Sequence, residues 1–321
     1  MRPGRLCYHS RMQYRKLGKS GLRVSVIGIG TWQFGGEWGK TFEQAEVDAM
    51  FDAAREEGLN LIDTAECYGD HTSEAFVGAA IERDRDNWIV ATKFGHRFNK
   101  PFDRTEPREP ADVAKQVEDS LRALRTDYID LLQYHSWGDA DFFRDDVRAV
   151  LEKLVAAGKV RHIGNSVGPN NEKARRQVEA SETFDVETIQ VIYNRLDRAP
   201  EQHVFPICQK LDLGVLARVP LASGYLSGRY KPGHQFDPNE VRSKWHNADD
   251  RNRKLAEVEQ IRQTELPPGM DMAQWALAWC LQHPAVTCVI PGCKSVEQVR
   301  SNAAAARLPL VRDDHPQAWK D

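Results

Sequence analysis

The sequence predicts an α/β chain of the (β/α)8, or TIM, barrel class, and three observations carry that reading. Short apolar runs alternate with helix-patterned segments along nearly the whole chain, and counting gives eight such units. Strands separated by helices pair in parallel through right-handed crossovers. Three successive runs also end at or just before chemistry-bearing residues: Asp63 with Tyr68 beyond it, Lys93, and His135. A barrel of this class works at the C-terminal ends of its strands. An open doubly wound sheet would need a glycine-rich phosphate loop after an early strand. Gly28-Ile29-Gly30 is the candidate, but Gln33 stands where the third glycine belongs, and a Trp/Phe/Gly loop follows instead of a helix.

The elements follow in order. Residues 12–27 carry two strand-like pieces around Gly18-Lys19-Ser20-Gly21, a hairpin signal. The run 24–29 leads into the Trp32, Phe34, Trp38 loop. A helix over 43–57 stops at Gly58, a C′ glycine, and the strand ending at Asp63 follows. Helix 73–83 precedes the Lys93 strand. A polar, proline-broken loop spans 96–110, and helix 112–125 shows Val113, Val117, Leu121 and Leu124 at helical spacing. The His135 strand is followed by helix 146–157, closed by Gly158. Strand 160–164, helix 172–180, strand 188–192, a helix near 204–211 and strand 214–217 continue the rhythm. Residues 218–247, rich in Gly, Pro, Tyr and charge, interrupt it as a long working loop after the seventh strand. Helix to 261, helix 271–282, strand 286–290 and helix 296–307 complete the set.

Length and composition set the boundaries. With 321 residues, 41% hydrophobic, 28% charged and a net charge of −3, the chain reads as an ordinary soluble globule. That balance points to neither nucleic acid nor an anionic membrane as partner. No apolar run approaches a membrane span. Residues 1–11 are basic and irregular and are read as a flexible extension, with Met12 a second possible start; 12–321 read as a single barrel domain. Six cysteines without paired spacing suggest reduced thiols in a cytoplasmic compartment and no metal.

In the barrel, Asp63, Tyr68, Lys93 and His135 converge. A free tyrosine titrates near ~10, too high for ready proton exchange at neutral pH. A lysine ammonium ~4 Å away favours the phenolate by roughly 4 kcal/mol at an effective dielectric near 20, and burial opposes it. Asp63 supplies the anion that keeps Lys93 charged. His135 can donate to a substrate oxygen. The set hands a proton to an oxygen or takes one away, and such a device needs an electron source, so a cofactor is implied. At the far end, Ser295 with Gln298 fits a capping box, and Gly292 with Lys294 makes that helix start an anion site. A plain capped helix remains the alternative. Cys67, next to Tyr68, is open to two readings as well: an inert packed thiol, or a redox-sensitive one stabilised by Lys93.

With these residues in place, the sequence resembles the aldo-keto reductase family from about Gln13 to Arg307. The resemblance rests on Leu61-Ile62-Asp63-Thr64-Ala65 with Tyr68-Gly69, Thr92-Lys93, Leu131-Leu132-Gln133-Tyr134-His135, Gly158 to Gly164, Gln190 with Tyr193-Asn194, and Val289-Ile290-Pro291-Gly292. It implies a barrel whose N-terminal hairpin closes the bottom, and reduction of small aldehydes and ketones by NADPH, with NADH also admissible. It implies Tyr68 as general acid, tuned by Lys93 and Asp63, with His135 orienting the carbonyl. Ser166, Gln190 and Arg218 would hold the nicotinamide end, and Gly292, Lys294, Ser295, Gln298 and Asn302 the phosphates and adenosine. Two departures stand out: Val167 replaces an asparagine after Ser166, and Arg218 stands where an aromatic residue commonly stacks. The substrate pocket is expected around Trp32, Phe34 and Trp137, with His96, Phe98 and 221–230. The chain is expected to be a monomer or weak homo-oligomer. A cofactor-binding regulatory subunit, like the potassium-channel β subunits that resemble this family, keeps the same residues and stays open at this point.

Overall fold

The computed structural model describes residues 12–245 and 247–320; the extension read over 1–11 lies outside them. In chain order the elements are β1 (Tyr14–Lys16), β2 (Arg23–Ser25), β3 (Ile29–Gly30), α1 (Gln44–Glu57), β4 (Leu61–Asp63), α2 (Thr72–Ile81), β5 (Ile89–Phe94), β6 (Arg97–Lys100), β7 (Asp103–Thr105) and α3 (Pro110–Leu124). Next come β8 (Ile129–His135), α4 (Asp139–Phe142), α5 (Asp145–Ala156), β9 (Val160–Ser166), α6 (Asn171–Glu179), β10 (Val186–Ile192), α7 (Pro200–His203) and α8 (Phe205–Lys210). The chain continues through β11 (Gly214–Arg218), α9 (Ala248–Thr264), α10 (Met272–Leu281), β12 (Cys288–Val289) and α11 (Val296–Ala304).

Eight parallel strands form one sheet in the order β12-β11-β10-β9-β8-β5-β4-β3. Its edges meet: the Gly28 and Gly30 N–H groups donate to the Val289 and Pro291 carbonyls at 2.8 and 3.0 Å, and Val289 N–H donates to Val26. These bonds close the sheet into the predicted (β/α)8 barrel and remove its open edges. The β1–β2 hairpin pairs antiparallel and sends Leu17 and Val24 into the cluster of Leu61, Ala91, Leu131, Leu216 and Cys288. The hairpin therefore plugs one end of the barrel.

Strand alternation explains how that plug and the chemistry share the lumen. Side chains two apart on a strand face the same way. Leu61, Ala91, Leu131 and Leu216 fill the lower lumen, so Asp63, Lys93, Gln133 and Arg218 stand in the same rows nearer the mouth. Gly164 makes room in this layer: a Cβ there would lie 2.4 Å from Thr188 Oγ1. The register aligns Lys93 with Gln133, His135 with Ser166 and Ser166 with Gln190.

Three details differ. Residues 97–105 form the β6–β7 hairpin instead of a loop. The helix expected near 204–211 is α8, with Pro206 in its first turn, where its missing N–H costs nothing, and the short α7 precedes it unforeseen. The last strand shortens to Cys288–Val289. The loop after β11 contains two short 3-10 segments, Ala222–Ser227, kinked at Ser223 and Gly224, and Val241–Lys244. It crosses to the loop after β3, where Val241 N–H donates to the Glu37 carbonyl at 3.0 Å and Trp38 pairs with Glu240.

Candidate active site

Lys93 is the hub. Its ammonium, 1% exposed, donates to Asp63 Oδ2 at 2.8 Å and to the Thr64 carbonyl at 2.7 Å, and lies 3.3 Å from the Tyr68 hydroxyl. Its three protons thus have three acceptors, which fixes the ammonium in place. Burial works against that charge, but Asp63 and Tyr68 outweigh it and raise the Lys93 pKa above its usual value. Burial raises the Tyr68 phenol to about 12; Lys93 pulls the other way and Asp63 adds to the rise. Desolvation therefore outweighs the Coulombic help, so the tyrosine is held protonated.

Asp63 is satisfied on its other oxygen as well. Gln190 Nε2 donates to Oδ1 at 2.6 Å and Gln133 Nε2 at 3.3 Å. Ser166 Oγ donates to Gln190 Oε1 at 3.2 Å. One buried network thus links Tyr68, through Lys93 and Asp63, to Gln190 and Ser166.

His135 closes the group from the side. Its ring meets Tyr68 edge-on, with centroids 6.0 Å apart, and Cys67 Sγ is 3.7 Å from its Nδ1. Burial first, then His96, Lys93 and Arg218, push its pKa well below normal, so the imidazole is neutral. Burial also raises the Cys67 thiol. Of the two readings open for Cys67, the thiolate stabilised by Lys93 is thereby disfavoured, because desolvation outweighs that attraction.

These groups sit at the floor of a cleft of about 630 Å³ that runs from Trp32, Tyr68 and His135 past Gln190 and Arg218 to Gly292, Lys294, Ser295, Gln298 and Asn302. All the residues expected at the nicotinamide and phosphate ends line this one cleft. Arg218 Nη2 donates to the Val167 carbonyl at 3.1 Å, and its buried Nε has no partner. The position that departs from the family pattern thus tethers the arginine through its backbone. At α11, Ser295 Oγ accepts from Gln298 N–H at 3.3 Å, while Gln298 Oε1 accepts from Lys294 N–H rather than from the cap residue itself. Lys294 Nζ donates to the Trp38 carbonyl at 2.6 Å, and burial lowers its pKa.

Trp32 lines the cleft and stacks on Tyr68 at 5.9 Å with 21° between planes. Phe34 and Trp137 do not, and that expectation is corrected. Phe34 is 2% exposed and turns to Phe42 and Phe76, so it is core. Trp137 is equally buried and packs on Phe94 and Tyr134. It also lies so close to Gly95, at φ 105°, that a Cβ there would come within 1.9 Å of its Nε1. Phe98 is half-buried on β6 and outside the cleft, whereas His96 and several residues of 221–230 line it.

Sequence reading missed the hairpin's contribution. Arg104 on β7 lines the cleft and ion-pairs with Glu37. Glu37 also accepts from Trp32 Nε1 and Phe102 N–H, each at 2.8 Å. Glu66, 2% exposed, was missed too. Burial lifts its pKa to about 8, against the lowering effect of the His96 N–H it accepts.

The matches to known proteins agree with this architecture. The family model described as "Aldo/keto reductase family" matches residues 26–319. The chain is 32% identical to aldo-keto reductase YhdN of Bacillus subtilis (strain 168), covering 94% of this chain and 91% of that protein. It is 31% identical to the NADH-specific methylglyoxal reductase of Escherichia coli (strain K12), covering 93% and 94%. The holo form of aldo-keto reductase AKR11C1 from Bacillus halodurans superposes with a TM-score of 0.78 at 31% identity, over 96% and 95% of the two chains. This chain belongs to the aldo/keto reductase family, oxidoreductases that reduce aldehyde and ketone carbonyls with a nicotinamide cofactor.

Proposed function

We propose that Tyr68 is the general acid of this reductase, protonating the carbonyl oxygen as a hydride arrives from the reduced nicotinamide. The observation that carries the assignment is the bridge of Lys93 between Asp63 and the Tyr68 hydroxyl at the cleft floor. A phenol held protonated beside a fixed cation can donate to an oxygen that gains negative charge, and the cation stabilises the phenolate left behind. Neutral His135 offers a ring nitrogen to orient the carbonyl and carries no charge that would compete with Lys93.

The residues present fit a nicotinamide dinucleotide. Both Gln190 Nε2 protons are engaged, by Asp63 and Gln133, so Gln190 presents its carbonyl oxygen to a carboxamide, with Ser166 beside it. Arg218 brings a planar, partly unpartnered guanidinium to the same end. Gly292, Ser295, Gln298 and Asn302 would hold the phosphates and adenosine at the start of α11, where N–H groups favour anions. The cofactor supplies the hydride; the chain orients the carbonyl, screens it with Trp32 and delivers the proton. We read NADPH as the preferred cofactor through Lys294, with NADH as the competing reading, since one relative is an NADH-specific reductase.

The test is oxidation of each reduced nicotinamide in the presence of aldehydes, ketones and sugars, by wild type and Tyr68→Phe. Turnover by wild type that Tyr68→Phe lacks supports the assignment. A regulatory cofactor-binding role is favoured only if no carbonyl turns over while the cofactor still binds.

A further inference from the structure

Three donor atoms meet at the cleft floor, two of them from residues, Cys67 and His96, to which carbonyl reduction gives no chemical role. The Cys67 sulfur and one ring nitrogen each of His96 and His135 lie within 4.8 Å of one another, and all three residues line the cleft. Cys67 Sγ stands 3.7 Å from His135 Nδ1. In a tetrahedral zinc site, with Zn–S about 2.3 Å and Zn–N about 2.0 Å, sulfur and nitrogen lie roughly 3.5 Å apart. That edge is already at coordination length. The others are 4.8 Å at most and must close by roughly 1.5 Å at most for all three donors to reach one metal.

The His96 tautomer follows from its hydrogen bond. Its Nε2 lies 2.7 Å from the His135 carbonyl. A carbonyl only accepts, so Nε2 carries the proton and Nδ1 keeps the lone pair. Metal-ligating histidines commonly donate their other ring N–H to a backbone carbonyl, which fixes tautomer and orientation. The two rings also lie against each other, with centroids 4.7 Å apart.

We propose that Cys67, His96 and His135 form a binding site for a borderline-soft divalent cation of the zinc class, with water as the fourth ligand. One thiolate and two imidazoles select zinc, cobalt or copper over magnesium and calcium, which require oxygen donors. Binding replaces the S–H bond by a metal–sulfur bond and releases the proton to solvent. Arg104, beside Cys67, and Lys93 oppose the added positive charge. The new thiolate supplies one negative charge against it.

A cation held here occupies His135 and stands beside Tyr68, where the carbonyl oxygen must arrive. Reduction therefore stops, reversibly, when the site fills. That consequence rests on the carbonyl-reduction reading; the coordination does not.

Cobalt titration of the metal-free protein tests the site directly. One equivalent should produce a thiolate-to-cobalt charge-transfer band and the intense visible bands of four-coordinate cobalt, both abolished by zinc. Cys67→Ser should lose the charge-transfer band. His96→Gln, with its circular dichroism unchanged, should bind cobalt roughly tenfold or more weakly. A wild-type protein without the charge-transfer band, or a Cys67→Ser protein that keeps it, overturns the site. In the activity assay zinc should inhibit wild type, EDTA should reverse this, and His96→Gln should need roughly tenfold more zinc. A tetrahedral cobalt signature in a protein that reduces no carbonyl would sink the catalytic reading and leave the metal site standing.

Discussion

Gln190 donates its side-chain amide to Asp63 at 2.6 Å across 127 positions of sequence, which ties the residue proposed for the nicotinamide to the carboxylate that steadies Lys93. Gln190→Leu removes that donor and leaves Asp63 Oδ1 only the 3.3 Å contact from Gln133. A hydrogen bond to a buried charge contributes about 1.5–3 kcal/mol. Urea unfolding should show a loss of about that size, and the KM for the nicotinamide should rise together with it. A variant as stable as wild type would mean that the amide contributes nothing to Asp63.

Tyr68→Phe deletes the proposed proton donor and leaves the ring against Trp32. Carbonyl reduction should fall by roughly 10²- to 10⁴-fold, the usual size of a general-acid contribution. Cofactor affinity, read from fluorescence quenching, should stay close to wild type because the cofactor-end residues are untouched. Near-normal turnover would remove Tyr68 from the mechanism.

The four residues of this centre were legible because each ends, or closely follows, an apolar run, and a strand end in a barrel is a place as well as a pattern. Directions were not legible. Phe34 and Trp32 share one loop, yet Trp32 faces Tyr68 and Phe34 faces Phe42; two residues of separation in an irregular turn do not fix a face. Trp137 had a readable signal in Gly95, whose missing Cβ admits the indole, but only a partner known in space makes that glycine informative. The β6–β7 hairpin was hidden by Pro101 and by its charged residues, since its strands are held by Arg104 on distant Glu37 and not by an apolar face.

Reduction and alcohol oxidation should respond to pH in opposite ways. The Tyr68 phenol, raised by burial to about 12, stays protonated through neutral pH, so the reduction rate carries no falling limb from it until strongly alkaline pH. Oxidation needs the phenolate and should climb with pH over the same range. Lys93→Met removes the cation that opposes the rise and should displace the oxidation limb further to alkaline pH, besides lowering both rates. A Tyr68 limb near neutral pH in the wild-type reduction profile would contradict this assignment.

Glu66 gives stability a pH slope of known sign. Its folded-state pKa, raised by burial from 4.5 to about 8, means the folded chain holds a proton that the unfolded chain has already released. Stability from this group is full below about 4.5 and declines as pH rises to about 8, by roughly 1.4 kcal/mol per pH unit at most. Glu66→Gln keeps an acceptor for the His96 N–H and removes the titration. Urea unfolding across that window should therefore give a flatter pH dependence for the variant, and parallel curves would exclude Glu66 as the source.

Lys294 decides between two accounts of cofactor preference. If its ammonium reaches the 2′-phosphate, one charge-assisted bond worth about 1.5–3 kcal/mol separates NADPH from NADH, or roughly ten- to a hundredfold in affinity. The structure supplies a competitor: the same ammonium donates to the Trp38 carbonyl at 2.6 Å, and Lys40 donates to the Lys294 carbonyl at 3.2 Å, next to the Trp38–Glu240 pairing. In that account Lys294 fastens the loop across the cleft and serves both cofactors alike. Burial lowers its pKa, yet two protons remain beyond the one given to Trp38, so a phosphate can be added without breaking the tether. The phosphate account is therefore expected to hold. Lys294→Ala should weaken NADPH roughly ten- to a hundredfold and leave NADH close to wild type, with dissociation constants measured by fluorescence quenching. Equal weakening of both would assign Lys294 to the loop and leave the 2′-phosphate to another group.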